Sequence, residues 1–333
     1  MHRLDRRIRI LRGKRNGAFD ANQYYLERAF RARAARKLRF YLRRMQPAML
    51  ITPRWSEARA FLDDLAVDLA LGRPAIECRT LSMAPMVGRS VHESRTWVLR
   101  ALTEFVGGGY SGPVSQAVDR KGFRLVVETV LRRARTGPRR ALLVHQLEHL
   151  HVEALEDFVH AFESYVGREG DDRRVNVLFA GTVDVPAFEM RGGVVVLADY
   201  SDVEALERLA EHTGPVDKAV LQRAIDVVGG VPAMLERLGK RAEARGGRLS
   251  ENRDELFRDL GGLTDEVRGA LSIVTTEETL AARFEEVAQT GPLPYDPDKD
   301  LALVRAGVLQ PLYGGLSAQI MVRAPMFAEM ALS

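Results

Sequence analysis

The chain of 333 residues has a single cysteine, Cys78, so it cannot form an internal disulfide. That excludes the disulfide-stapled secreted scaffolds and fits a reducing compartment. The expected location is therefore cytoplasmic, with Cys78 read as a small apolar core residue. No apolar run approaches the ~20 residues that cross a bilayer, so no membrane span is expected. The basic N-terminus lacks the apolar stretch of a signal peptide. There is no Gly-x-Ser-x-Gly and no His/Cys ligand set of finger spacing. His145, His149, His151 and His160 do lie within 16 positions. His145 and His149 could chelate a metal if they shared a helix face. His145 is expected to end a strand, however, and only Glu148 and Glu153 stand nearby as carboxylates. No metal and no cofactor are therefore expected. Internal repeats and low-complexity segments are also missing.

Acidic residues are scarce at one end. Residues 1–44 hold 15 Lys+Arg against Asp5, Asp20 and Glu27, a surplus of 12. The remainder holds 34 basic and 42 acidic residues, a deficit of 8. A basic arm thus precedes an acidic body. It either binds an acidic partner (DNA, RNA or protein) or folds against its own body, and charge does not choose between these. The candidate binding residues are Arg31, Arg33, Arg36, Lys37, Arg39, Arg43 and Arg44. They lie around one expected helix, interleaved with Phe30, Phe40 and Tyr41, whose rings are expected to face the core. Phosphate contacts from such residues would be independent of sequence and sensitive to salt.

Against these absences stands an ordinary globular composition, 46% hydrophobic and 28% charged, long enough for two or three domains. A helix is expected over 20–45, capped by Asp20 and closed by Pro47. Strand-like runs follow at Ala48–Thr52, Ala75–Thr80, Arg140–Val144, Val175–Ala180 and Val194–Leu197. Helical segments fall between them at 55–71, 89–106, 121–136 and 151–166. The alternation predicts a parallel sheet covered on both faces. Leu142–Leu143–Val144 and Val194–Val195–Val196–Leu197 are apolar enough for central strands. After about residue 200 the strands give way to helices at 201–212, 215–228 and 230–245, with a hinge at Ala242–Arg248. The last block starts helical and ends in a hairpin turned by Gly314–Gly315, the layout of a winged helix. The expected division is a basic arm and helix over 1–45, an α/β core over 46–200, a helical lid over 201–248 and a winged-helix domain over 249–333.

The segment from Ala48 to Leu62 runs from an apolar strand through a short polar loop into a helix. That is the setting of a phosphate-binding loop, G-x-x-x-x-G-K-[ST]. In that frame Thr52 and Glu57 take the two Gly positions, Ala58 the Lys position and Arg59 the Ser/Thr position. Glycines let backbone N–H groups close around phosphate, and the Lys neutralises it. Ala58 brings no charge and Arg59 no hydroxyl for Mg²⁺. Glu57 brings a carboxylate and is expected to resist a glycine-type backbone. Arg54 is the one residue placed to restore phosphate affinity.

The order of these pieces resembles the AAA+/STAND-type ATPases related to origin-recognition proteins, over roughly residues 20–330. Tyr24–Tyr25–Leu26–Glu27–Arg28 resembles that family's lead-in to its nucleotide site, and Thr52–Pro53–Arg54 its Gly-Pro-Arg. Gly229–Gly230–Val231–Pro232 resembles its lid turn. Val304–Arg305–Ala306–Gly307–Val308–Leu309 and Val322–Arg323–Ala324–Pro325–Met326–Phe327 resemble the end of its winged helix. The resemblance implies a P-loop NTPase-like parallel sheet with a helical lid and a C-terminal winged helix. It also implies that His145 and Gln146 stand where the acidic Walker B pair would be, and Thr182 where a polar strand tip senses the γ-phosphate. Neither Walker motif is intact.

On this reading the chain is not an enzyme but a catalytically inactive, structural or regulatory subunit of a larger assembly. Its partners would be proteins, among them an active ATPase or copies of itself. Two alternatives stay open: a nucleic-acid adaptor using the basic arm, and a nucleotide-binding switch without hydrolysis. The winged helix is poor in basic residues, with Arg323 alone after its hairpin, and is expected to dock on protein.

Overall fold

The computed structural model describes residues 29–107, 119–134, 137–169, 173–182, 193–197, 199–213, 216–294, 296–314 and 317–332. Expectations that fall on 1–28, among them the arm and the Tyr24–Arg28 lead-in, lie outside the described residues. The chain divides into two compact units. The first includes Ala34–Thr52 and Ala58–Val195, and the second includes Pro53–Glu57 and Val196–Ser333.

The first unit is built on a five-stranded sheet. Its strands are β1 (Ala48–Ile51), β2 (Glu77–Ser82), β3 (Arg140–His145), β4 (Val175–Gly181) and β5 (Gly193–Val196). They lie in the order β2-β3-β4-β1-β5, and the three pairs β2–β3, β3–β4 and β4–β1 are parallel. The helices around it are α1 (Ala29–Arg43), of which this unit includes the part from Ala34, and α2 (Ala58–Leu71), α3 (Val91–Val106), α4 (Arg120–Arg133) and α5 (Val152–Glu169). Strands with helical crossovers need apolar side chains on both faces. Leu142, Leu143 and Val144 of β3 and Val177, Leu178 and Phe179 of β4 are accordingly buried. From α5, Phe158 and Phe162 reach the Phe179 ring, with centroids 5.2 and 5.8 Å away. Strand β2 starts two residues later than expected. It is an edge strand, and its side chains are exposed or only half-buried, so no apolar run marks its bounds. Strand β5 is the other edge, which corrects the expectation that the apolar run Val194–Leu197 is central.

Local signals set the helix ends. Ser90 and Glu93 form a reciprocal capping box before α3, and Asp119 caps α4. A buried carboxylate ties α3, α4 and α5 together. Asp157 accepts hydrogen bonds from Arg95, Arg120 and Arg124 at 2.6–3.1 Å. Burying a carboxylate is costly unless it is paired in this way.

The second unit has helices α6 (Asp202–His212), α7 (Lys218–Val228), α8 (Pro232–Ala244), α9 (Arg253–Leu260), α10 (Gly262–Thr276) and α11 (Glu278–Thr290). A three-stranded antiparallel sheet follows, in the order β6 (Leu293–Pro294), β8 (Ser317–Val322), β7 (Leu309–Gly314). Helix α12 (Pro297–Ala306) precedes its hairpin and α13 (Pro325–Leu332) closes the chain. One apolar core runs through these elements, including Leu235, Leu271, Phe284, Val304, Ile320 and Phe327. At the turn into α8, a Cβ on Gly230 would lie 1.8 Å from the Tyr200 carbonyl oxygen, so only glycine fits. The segment expected as a hinge begins at the end of α8. Gly246 and Gly247 close α8 at positive φ, and Arg245 forks onto Asp259 at 2.7 and 2.8 Å while bonding Ser250.

Candidate functional site

Parallel strands all end at one edge of the sheet, and the expected site residues of the first unit gather there. Thr52 follows β1, His145 and Gln146 end β3, and Thr182 follows β4. The edge is knitted by main chain. Thr52 N–H donates to the Gly181 carbonyl at 2.9 Å, and Met83 N–H to the His145 carbonyl at 3.0 Å. His145 is buried, and burial together with nearby Arg59 lowers its pKa below the ordinary imidazole value. At neutral pH it is an uncharged imidazole. Gln146 sits in the left-handed region at φ 62°, turning the chain sharply into a 3₁₀ segment, and its side chain accepts from Ser82 Oγ at 2.6 Å. That turn puts His149 outside any α-helix, so His145 and His149 do not share a helix face. Among the described residues no group of three or more His, Cys, Asp or Glu is placed to hold a metal ion.

One carboxylate here escaped the sequence reading of the acidic motif. Glu148, two positions past Gln146, accepts from Thr182 N–H at 3.2 Å and lies over the end of β4. A Cβ on Gly181 would come within 2.9 Å of it. It gives the strand ends a carboxylate that can hold a water or a cationic group beside Thr182. No spacing rule would have found it, because the displacement depends on the left-handed turn at Gln146.

Helix α2 begins at Ala58 with no acidic residue in its first turn, and Arg59 there is exposed. A helix N-terminus and a guanidinium both favour an anion. Those two features suit a phosphate group, and the carboxylate of Glu57, directly before the helix, opposes one. The neutral His145 offers no charge to a magnesium ion.

The loop before that helix belongs to the second unit. Ser56 N–H closes it onto the Pro53 carbonyl at 3.2 Å. Trp55 and Glu57 both take left-handed backbone, φ 62° and 50°. The expectation that Glu57 resists a glycine-type backbone is therefore corrected. The left-handed α region is strained for a side-chain residue but open to it, and surrounding contacts hold it there. Those contacts are extensive. The Trp55 carbonyl accepts Ala233 N–H at 3.1 Å, and Trp55 Nε1–H donates to Glu266 at 2.9 Å. Its ring lies 5.8 Å from that of Phe327, and the Arg323 guanidinium sits 5.9 Å from its centroid. Arg323 donates to the carbonyls of Arg54 and Gly307, and forks onto Asp199 at 2.5 and 2.6 Å. Both members of that pair are buried. Arg54 is exposed, with its carbonyl engaged. Trp55, Asp199 and Arg323 are thus the residues that organise the loop.

The candidate binding arginines separate into two groups. Arg39 pairs with Asp68 at 3.0 Å, and the Arg43 carbonyl is held by Arg139. Burial raises the Asp68 pKa above the usual carboxylate value, and the nearby Arg39 and Arg43 oppose that rise. Arg36, Lys37 and Arg44 are exposed. The side chains of Arg31 and Arg33 lie outside the described residues.

No family model and no curated protein matches this sequence. Solved structures do. A Walker-type ATPase of Pyrococcus abyssi superposes with TM-score 0.57 at 12% identity, covering 90% of this chain and 95% of that one. Two looser likenesses are Cdc6p of Pyrobaculum aerophilum and a STAND protein with a tetratricopeptide repeat sensor from Pyrococcus horikoshii. The first has TM-score 0.47, 12% identity and coverage of 91% and 92%. The second has TM-score 0.45, 10% identity and coverage of 89% and 41%. The fold is therefore that of a P-loop ATPase, with its parallel sheet. This corrects the expectation that the chain is no enzyme. The architecture shared over nine tenths of its length is one on which an ATPase is built. Among the described residues no helix is long and apolar enough to cross a membrane.

Proposed function

We propose that this chain is a cytoplasmic regulatory subunit with an AAA+/STAND-type fold. On this reading a nucleoside triphosphate at the β1–α2 junction is sensed by the loop 53–57 and reported to the elements that loop is bonded to. We assign 201–248 as a lid and 249–333 as a winged helix, with a protein partner, an ATPase or further copies of this chain, as the recipient of the signal. Arg59 and the start of α2 supply the positive potential that phosphate needs, taking over the neutralising role of a lysine.

The observation that carries this reading is the bonding of the loop. A bare connection would leave its carbonyls to solvent. Here two of them, with the Trp55 ring, are committed to Arg323, Ala233, Glu266 and Phe327. Any ligand that reshapes the loop must disturb a buried ion pair, and a signal passes that way.

Native mass spectrometry of the purified protein with ATP, with ADP and with neither tests the proposal. One nucleotide per chain, together with a change in the assembly formed, is the expected result. A chain that takes up no nucleotide and keeps one mass throughout would overturn it.

A further inference from the structure

Helix α1 carries no acidic residue over Ala29–Arg43. Its inner face is settled: Ala34, Ala35, Leu38 and Leu42 are buried, and Arg39 is paired with Asp68. The outer face, continued one residue beyond the helix, holds Arg36, Lys37, Phe40 and Arg44. At the α-helical step of about 100° per residue these four fall within about 100° of arc. The three cations are exposed and Phe40 is 49% exposed, at odds with the expectation that its ring faces the core. The Arg44 guanidinium stacks 4.1 Å from the Phe40 centroid, and Tyr41 meets that ring edge-on at 5.7 Å. An exposed phenylalanine held in place by an arginine and flanked by cations is a stacking platform beside an anion track.

We infer that this face binds the phosphodiester backbone of nucleic acid, independently of sequence, with Phe40 stacking on an unpaired base. Charge complementarity selects that occupant. Residues 29–44 carry cations and no acidic residue, and the 28 residues that precede the helix add eight basic against three acidic residues. An acidic protein surface would match the charge, but an exposed aromatic ring beside a row of cations is the arrangement that takes a base and its phosphate together. The inference is independent of nucleotide at the β1–α2 junction.

The test is fluorescence anisotropy of the full chain with a labelled mixed-sequence single strand, the matching duplex and polyglutamate, each over a range of salt. Arg36→Ala/Lys37→Ala/Arg44→Ala is expected to fold, which a cooperative thermal transition checks. It should lower the salt slope for the single strand by about 2, at about 0.7 per phosphate contact. Phe40→Ala is expected to weaken the single strand more than tenfold and the duplex less. Arg39→Ala, which breaks an internal pair, should lower the thermal midpoint and leave the slope alone. Polyglutamate bound as tightly as the single strand would overturn the assignment in favour of an acidic protein surface. An unchanged slope in the triple variant would overturn it outright.

Discussion

Two segments leave the parallel sheet at the same edge and meet different fates. The exit from β3 stays with its own unit. Gln146 turns it, Ser82 holds that side chain, and Glu148 folds back onto the end of β4. The exit from β1 is taken up by the second unit, through Trp55 and the carbonyls beside it. Both use left-handed backbone at side-chain residues, Gln146 in one and Trp55 and Glu57 in the other. The same strain thus serves two purposes. In the first it places a carboxylate beside Thr182, and in the second it presents carbonyls and an indole to residues far along the chain.

The contrast breaks most completely at Gly230. Its added Cβ would strike the Tyr200 carbonyl oxygen, so Gly230→Ala must displace the turn into α8, whose Ala233 N–H holds Trp55. We expect a loss of about 4 kcal/mol or more, read as an early unfolding transition in calorimetry. Next comes Arg323→Met, which strands Asp199 as a buried charge and frees the Arg54 carbonyl. The expected loss is about 3–5 kcal/mol in urea unfolding, and Asp199→Asn added to it should recover part, because the unpaired charge is then gone.

The β3 exit is probed more gently by pH. His145 is held below the ordinary imidazole pKa, first by burial and then by Arg59. The unfolded chain takes up its proton near the ordinary value, about 6.5, while the folded chain resists. Between those two values the unfolded state binds more protons, so stability falls as pH drops from about 6.5 towards the folded value. His145→Gln should flatten that dependence, measured as the urea midpoint at about pH 7.5 and about pH 5.5. A dependence that survives the substitution would place the titrating group elsewhere.

Much of the fold was legible because parallel-sheet strands must be apolar on both faces. Leu142–Val144 announced β3, and the alternation with helices announced the sheet. The edge strand β2, exposed along one side, gave no comparable signal and was placed two residues early. At the site the sequence placed Thr52, Glu57, Ala58 and Arg59 around the β1–α2 junction but not the partners that the loop is bonded to. The partners of that loop lie 211 and 269 positions away, beyond the reach of any local pattern. Arg323 was visible as the one basic residue after the hairpin. Its purpose was hidden in Asp199, 124 positions upstream.

The chain has two tryptophans, Trp55 and Trp97, and Trp97→Phe leaves Trp55 as the sole reporter. The measurement that bears most directly on the loop is therefore the emission of Trp55 in that variant, titrated with ATP and magnesium while bound nucleotide is counted by equilibrium dialysis. The account predicts a saturable shift that follows occupancy and is abolished by Arg323→Met. Nucleotide bound at full occupancy with the Trp55 emission unmoved would contradict it.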